Sequence, residues 1–141
     1  MEFIGRIPYS QLLDGLATAD VLVHPSLEET FGMSIAEAMA LGVPVIGGAH
    51  SGAVPWVVGE GGILTDVTSA EAIEQAMFEL LDSPERYRAA VLAARVRVRD
   101  QFTADKVADA YELNYRQVAG LAPCEDLTSA TQSITRLENR G

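Results

Sequence analysis

Apolar residues along this chain fall into short blocks that alternate between two kinds of spacing. Compact runs such as "EFIG", "DVLVHPS", "VPVIGG" and "GGILTD" read as strands, while other segments place apolar residues three and four apart, the helical spacing. Leu12, Leu13 and Leu16 mark a helix running to about Ala19, with Ser10 as its expected N-cap. "DVLVHPS" is ended by Pro25. "MSIAEAMALG" is a second helix, stopped by Gly42 as a C′ glycine. "VPVIGG" is apolar almost throughout, as a strand covered on both faces should be. "GAVPWVV" predicts one short helical turn. From Ser69 onward the pattern is helical: "SAEAIEQAMFELLD", "PERYRAAVLAARVRVRDQF" and "TADKVADAYELNYRQV". Ser69 with Glu71, Ser83 before Pro84 at N1, and Thr103 before Asp105 mark the three starts.

Strands alternating with helices predict βαβ units and a mostly parallel sheet, an α/β Rossmann-like fold flanked by helices, followed by a C-terminal helical segment. About four strands is thin for a doubly wound domain of about six, whose first βαβ unit normally supplies the phosphate-binding turn. The chain is therefore expected to begin in mid-fold, as part of a larger domain. Residues 1–118 are expected to form that partial domain, and 119–141 a polar, loose tail without apolar periodicity. No internal repeat is visible.

Composition narrows the class. The 48% apolar content and mean hydropathy of +0.13 fit a packed domain, and 141 residues suffice for one core. No apolar run reaches the roughly 18–20 residues that span a bilayer. "MEFIGRIPYS" lacks the basic and apolar regions of a signal peptide, so the expected location is cytoplasmic, with peripheral attachment to a membrane open for the parent protein. A single cysteine, Cys124, excludes an internal disulfide and is expected to be inert. The net charge of −10 argues against a nucleic-acid partner. Its distribution says more, because Arg6 is the only Arg or Lys before Arg86. Any phosphate bound by the front half must rely on backbone amides and a helix N-terminus, or on cations supplied from elsewhere.

Candidate chemistry gathers in "HPSLEETFGMSIAEAMALGVPVIGG", His24 to Gly48. Glu29 and Glu37 stand across a loop-to-helix boundary with seven residues between them. On one straight helix they would point roughly 80° apart. With Glu29 in the loop and Glu37 in the first turns, both can face one crevice. Gly32 permits close approach of the backbone, and the free N–H groups of a helix start donate to anions. Such a crevice, at the carboxyl end of a parallel strand, is where open α/β sheets bind ligands. Carboxylates for sugar or ribose hydroxyls, beside amides for a diphosphate, suit a nucleotide sugar.

Plainer roles stand beside these. Glu37 can instead complement the helix macrodipole, Glu28 can be solvated, and His24 can be a satisfied core histidine. Gly47 and Gly48 serve either a turn or close approach to a ligand. His50, Ser51 and Gly52 lie in a loop after a strand, Trp56 reads as packing, and Arg95, Arg97 and Arg99 read as a solvated helix face balanced by acids.

The string from His24 to Gly48, followed by "SGAVPWVV" and "GGILTD", closely resembles the C-terminal donor-binding domain of retaining glycosyltransferases of family 4, which have the two-domain GT-B fold. The resemblance runs from about Phe3 to Val118, and Glu29 to Glu37 matches the E-x7-E motif. It implies that Glu29 contacts donor-sugar hydroxyls at the reaction centre and that Glu37 holds the ribose hydroxyls. It further implies that the amides of Phe31, Gly32 and Met33 approach the sugar and diphosphate, with Thr30, His24 and Ser26 also on the donor side. The family transfers a sugar from a nucleoside diphosphate with retention at the anomeric carbon, with no cofactor and usually no essential metal. No Asp-x-Asp metal motif occurs here.

The family's phosphate-binding Arg and Lys precede the matching region, and its acceptor-binding N-terminal domain has no counterpart in this chain. The expected function is thus the donor half-site of a glycosyltransferase using a UDP- or GDP-sugar, inactive alone. The rival is a stand-alone nucleotide-sugar-binding or regulatory module. A GT-B epimerase is disfavoured by the complete E-x7-E string, and pairing of an open sheet edge could give a homodimer.

Overall fold

The computed structural model describes residues 2–121, so Cys124 and most of the expected tail lie outside the described residues. The chain divides into two compact units, one ending at Thr103 and one starting at Ala104. The first unit contains α1 (Tyr9–Ala17), β1 (Leu22–His24), α2 (Met33–Leu41), β2 (Val45–Gly48), α3 (Val54–Val58), β3 (Gly62–Thr65), α4 (Ala70–Leu81) and α5 (Pro84–Gln101). The second contains α6 (Ala104–Val118), with Asp105 in its first turn and Arg116 in its last, where each charge complements the helix dipole.

The described sheet has three parallel strands in the order β1-β2-β3. Leu22, Val23 and His24 pair with Val45, Ile46 and Gly47, and the same β2 residues pair onward with Gly62, Ile63 and Leu64. The α/β reading therefore holds, with one strand fewer than expected. "EFIG" is not a strand: Phe3 is 86% exposed and Ile4 71%, and no strand among the described residues lies beside it to satisfy an extended backbone. The start of α1 also differs. The helix begins at Tyr9 behind Pro8, whose carbonyl accepts from the Leu12 amide, and Ser10 lies inside the first turn without a capping bond. The fixed φ of proline sets that start in place of a capping side chain.

The remaining boundaries follow the sequence signals. Gly42 ends α2 in a left-handed conformation, φ 83°. Ser69 Oγ accepts from the Ala72 amide, and Ser83 Oγ from the Arg86 amide with Pro84 at the start of α5.

Strand alternation sends successive β residues to opposite faces. On one face Leu22 and Val45 pack with Ile35, Ala38 and Met39 of α2, and with Val54, Val57 and Val58 of α3. On the other, Val23, Ile46 and Ile63 pack with Ala76 and Leu80 of α4. Helix α5 serves both clusters, through Ala94 on the first and Ala90 on the second. Val45 and Ile46 are fully buried, as the apolar run of β2 predicts.

Arg95 and Arg97 depart from the expected solvated face. Arg95 Nη2 donates to the Leu41 carbonyl at 3.1 Å, and Arg97 Nε donates to the Val57 carbonyl at 2.8 Å while its Nη2 reaches the Trp56 carbonyl. The last carbonyls of a helix have no amide ahead of them, and a guanidinium fork satisfies them while meeting the negative end of the dipole. Arg99 does follow the expectation, pairing with Asp100 at 2.7 Å on the surface.

Replacing Arg97 by Met should lower unfolding free energy by about 1.5–3 kcal/mol, the usual worth of hydrogen bonds to a charged group. Arg97→Lys should recover less than half of that, since an ammonium cannot fork between two carbonyls. Urea denaturation of the three proteins measures both effects, and an unchanged midpoint for Arg97→Met would contradict the clamp.

Candidate functional site

The loop after β1 leaves the carboxyl end of the sheet and enters α2 through Gly32, which takes φ 85° and ψ 65°. A side chain in this left-handed region is strained, and a Cβ there would also lie 2.9 Å from Ile35 Cδ1 and 3.2 Å from Glu29 Cγ. Gly32 thus lets the loop fold tightly over the start of α2. No side chain caps this helix. The Gly32 carbonyl accepts from the Ile35 and Ala36 amides at 2.9 and 3.2 Å, so the amides ahead of Ile35 are the orphan donors of the helix start.

Glu29 is held beside that start from several sides. Its Oε1 accepts from the Thr30 amide at 3.0 Å, its Oε2 lies 3.4 Å from His24 Nε2, and its backbone carbonyl accepts from the Ala53 amide at 2.9 Å. The last contact ties the loop after β1 to the loop after β2. Gly52 makes that approach possible: at φ 56° its hypothetical Cβ would stand 2.4 Å from the Glu29 carbonyl oxygen.

His24 closes β1, and its Nε2 is buried without a hydrogen-bond partner among the described residues. At 3.4 Å from Glu29 Oε2 it is within ion-pair range but lacks hydrogen-bond geometry, so its hydrogen-bonding capacity is left unsatisfied among the described residues.

Glu37 is the fifth residue of α2, beyond the first turn, so the plain dipole-complementing role does not apply to it. Its Oε1 accepts from the Tyr9 hydroxyl at 2.7 Å. That hydrogen bond, with a smaller contribution from loss of water, raises the Tyr9 phenol above its ordinary value, so Tyr9 remains a donor across the neutral range. Tyr9 is the functional candidate that sequence reasoning missed. In the sequence it is only an aromatic directly after a proline, and nothing in the spacing links it to a residue 28 positions on.

The other candidates sort by their contacts. Ser26 Oγ donates to the Glu28 carbonyl at 2.7 Å, within the loop, and the Glu28 side chain is exposed. Thr30 and Met33 present exposed side chains at the start of α2. The Phe31 ring turns from the carboxylates into an aromatic cluster, 5.4 Å from Phe102 and 6.2 Å from Trp56, with Trp56 and Phe102 5.1 Å apart. Arg97 Cζ lies 6.0 Å from the Trp56 centroid, which fits the packing role read for Trp56. Gly47 and Gly48 make room for protein, since a Cβ at either would meet Val54 Cγ1 at 2.6 Å or Ser51 Oγ at 1.8 Å. Ser51 is buried and His50 exposed.

A parallel α/β sheet that offers a carboxylate-bearing loop and an uncapped helix start at a strand's carboxyl end belongs to the class that binds ligands through strand-to-helix junctions. The chain belongs to the glycosyl transferases group 1 family, whose model matches residues 1–97. Over 110 residues it is 31% identical to a GDP-mannose-dependent monoacylated alpha-(1-6)-phosphatidylinositol monomannoside mannosyltransferase of Corynebacterium glutamicum, covering 73% of this chain and 29% of that protein. Over 118 residues it is 35% identical to an N-acetyl-alpha-D-glucosaminyl L-malate synthase of Bacillus anthracis, covering 82% and 30%. The solved sucrose-phosphate synthase of Thermosynechococcus elongatus superposes with a TM-score of 0.72 at 33% identity, covering 84% of this chain and 30% of that one. The Rossmann-like α/β fold is thus that of GT-B glycosyltransferases. The chain spans about a third or less of the length of each of these proteins. No helix among the described residues is long and apolar enough to cross a membrane.

Gly52→Ala should cost at least about 1–2 kcal/mol, the penalty of a left-handed residue with a Cβ, and should displace the Glu29 carbonyl. Amide NMR shifts of Thr30, Phe31 and Gly32 should move more than those of α4, and unchanged loop shifts would show that Gly52 does not set the loop.

Proposed function

We propose that this chain is the donor-binding part of a retaining glycosyltransferase that moves a hexose from a UDP- or GDP-sugar to an acceptor held by an N-terminal domain. The observation that carries this reading is the junction between β1 and α2. It sets Glu29, fixed by the Thr30 amide and near His24, beside the uncapped start of α2, with Glu37 further along the same helix. Glu29 positions the donor sugar, Glu37 takes the ribose hydroxyls, and the amides from Phe31 to Met33 face the sugar and diphosphate. Thr30, Ser26 and His24 complete the donor side. Attack from the leaving-group face is assisted by electrostatic support of the departing diphosphate. Membership of the glycosyl transferases group 1 family supports glycosyl transfer, as does the likeness to a mannosyltransferase and to an N-acetyl-alpha-D-glucosaminyl L-malate synthase.

A second reading, a nucleotide-sugar-binding or regulatory module without chemistry, is favoured by one observation. Arg95 and Arg97 are committed to helix carbonyls, and Arg6 is the only Arg or Lys before Arg86. A desolvated diphosphate without cations is costly, so full catalytic power requires positive charge from outside this chain.

Calorimetric titration with UDP, GDP and ADP tests the donor site. One nucleotide should bind saturably, and Glu37→Ala should weaken it about 10-fold, the loss of hydrogen bonds to a charged group. Glu29→Gln should leave the nucleoside diphosphate nearly unaffected and weaken the matching nucleotide sugar. Equal losses for both ligands in Glu29→Gln would remove its assignment to the sugar. Binding without transfer after an acceptor domain is supplied would favour the second reading.

A further inference from the structure

Tyr9 is the first residue of α1, Glu37 lies midway along α2, and the two helices pack together. The phenol donates to Glu37 Oε1 at 2.7 Å, the usual length of an O–H···O hydrogen bond. An isolated, half-exposed glutamate samples many rotamers about its flexible stem, and each must be given up when it grips a ligand. A carboxylate fixed at one oxygen has lost that freedom before the ligand arrives. An ionised carboxylate offers about four lone-pair sites, so one bond from Tyr9 leaves Oε2 and half of Oε1 to accept two neighbouring hydroxyls.

From this geometry we infer that Tyr9 is a positioning residue for ligand recognition: its hydroxyl orients the Glu37 carboxylate so that the free oxygen accepts a vicinal diol. The inference rests on the proposed donor site, in which that diol is the ribose of a nucleoside diphosphate. It assigns recognition of the ribose to a pair of helices, α1 and α2, and makes the placement of α1 a determinant of nucleotide affinity. Tyr9 is 59% exposed, and the role assigned here belongs to its hydroxyl alone.

The test is titration of the whole 141-residue chain with whichever of UDP, GDP or ADP binds, and with its 2′,3′-dideoxy counterpart. Wild type, Tyr9→Phe, Glu37→Gln and the double variant are compared, with thermal melting to confirm that each is folded. Tyr9→Phe should weaken the ribonucleotide three- to ten-fold, leave the dideoxynucleotide unchanged, and add no loss in the Glu37→Gln background. Unchanged ribonucleotide affinity in Tyr9→Phe overturns the inference. So do equal losses for both nucleotides, which would mark a general structural role. A wild-type chain that binds none of the three nucleotides overturns the donor-site reading itself, a result distinct from either of those.

Discussion

Strand β2 is sealed on both faces, and the placement of everything around it follows from that constraint. Val45 and Ile46 are fully buried, one against α2 and α3 and the other against α4. A four-residue strand can organise two layers of helix only because its neighbours come very close. A Cβ at Gly62 would lie 1.8 Å from the Val45 carbonyl, so the β2–β3 pairing needs glycine there. Close packing also fixes where the strands stop. Their carboxyl ends release the loops before α2 and α3, and the Ala53–Glu29 hydrogen bond joins those loops directly. The site is therefore anchored to the most buried part of the unit, although its carboxylates face outward.

Charge is allocated differently from what a diphosphate-binding domain would suggest. The guanidinium groups of Arg95 and Arg97 terminate α2 and α3 at the ends remote from the candidate site, where they meet the negative ends of the helix dipoles. The site end of α2 is left uncapped, with its positive dipole end and orphan amides facing the loop that holds Glu29. One helix thus has its two ends treated in opposite ways: a cation closes the carbonyl end, and the amide end stays open. An open amide end is a neutral means of attracting an anion, and it suits a unit that is acidic overall.

Much of the candidate site was legible in the sequence because it depends on local geometry. Glycine at 32, the helix beginning at Met33 and a carboxylate three residues before the glycine are short-range features. So are the Ser69 and Ser83 caps and the glycine after Leu41. The strand at "EFIG" failed because an apolar run shows only that burial is wanted, and no strand among the described residues accepts it. Ser10 failed because Pro8 already fixes the backbone two residues earlier. The carbonyl contacts of Arg95 and Arg97 were missed for another reason: a charged side chain is read as solvated unless its acceptor is known, and these acceptors lie 54 and 40 residues away.

The amino-acid sequence by itself determined the α/β alternation, the doubly covered central strand, the loop-to-helix passage through Gly32, and the glycosyltransferase family to which the chain belongs. Each of these is written in residue type and spacing within a few turns of chain. The tertiary structure alone decided which groups touch those carboxylates. Tyr9 meets Glu37 because α1 packs on α2, His24 meets Glu29 because a loop folds back over its strand, and Gly52 reaches the Glu29 carbonyl because adjacent strands end together. Contacts between distant segments depend on how elements pack, and packing responds to volume and register across the whole core, which no local pattern encodes.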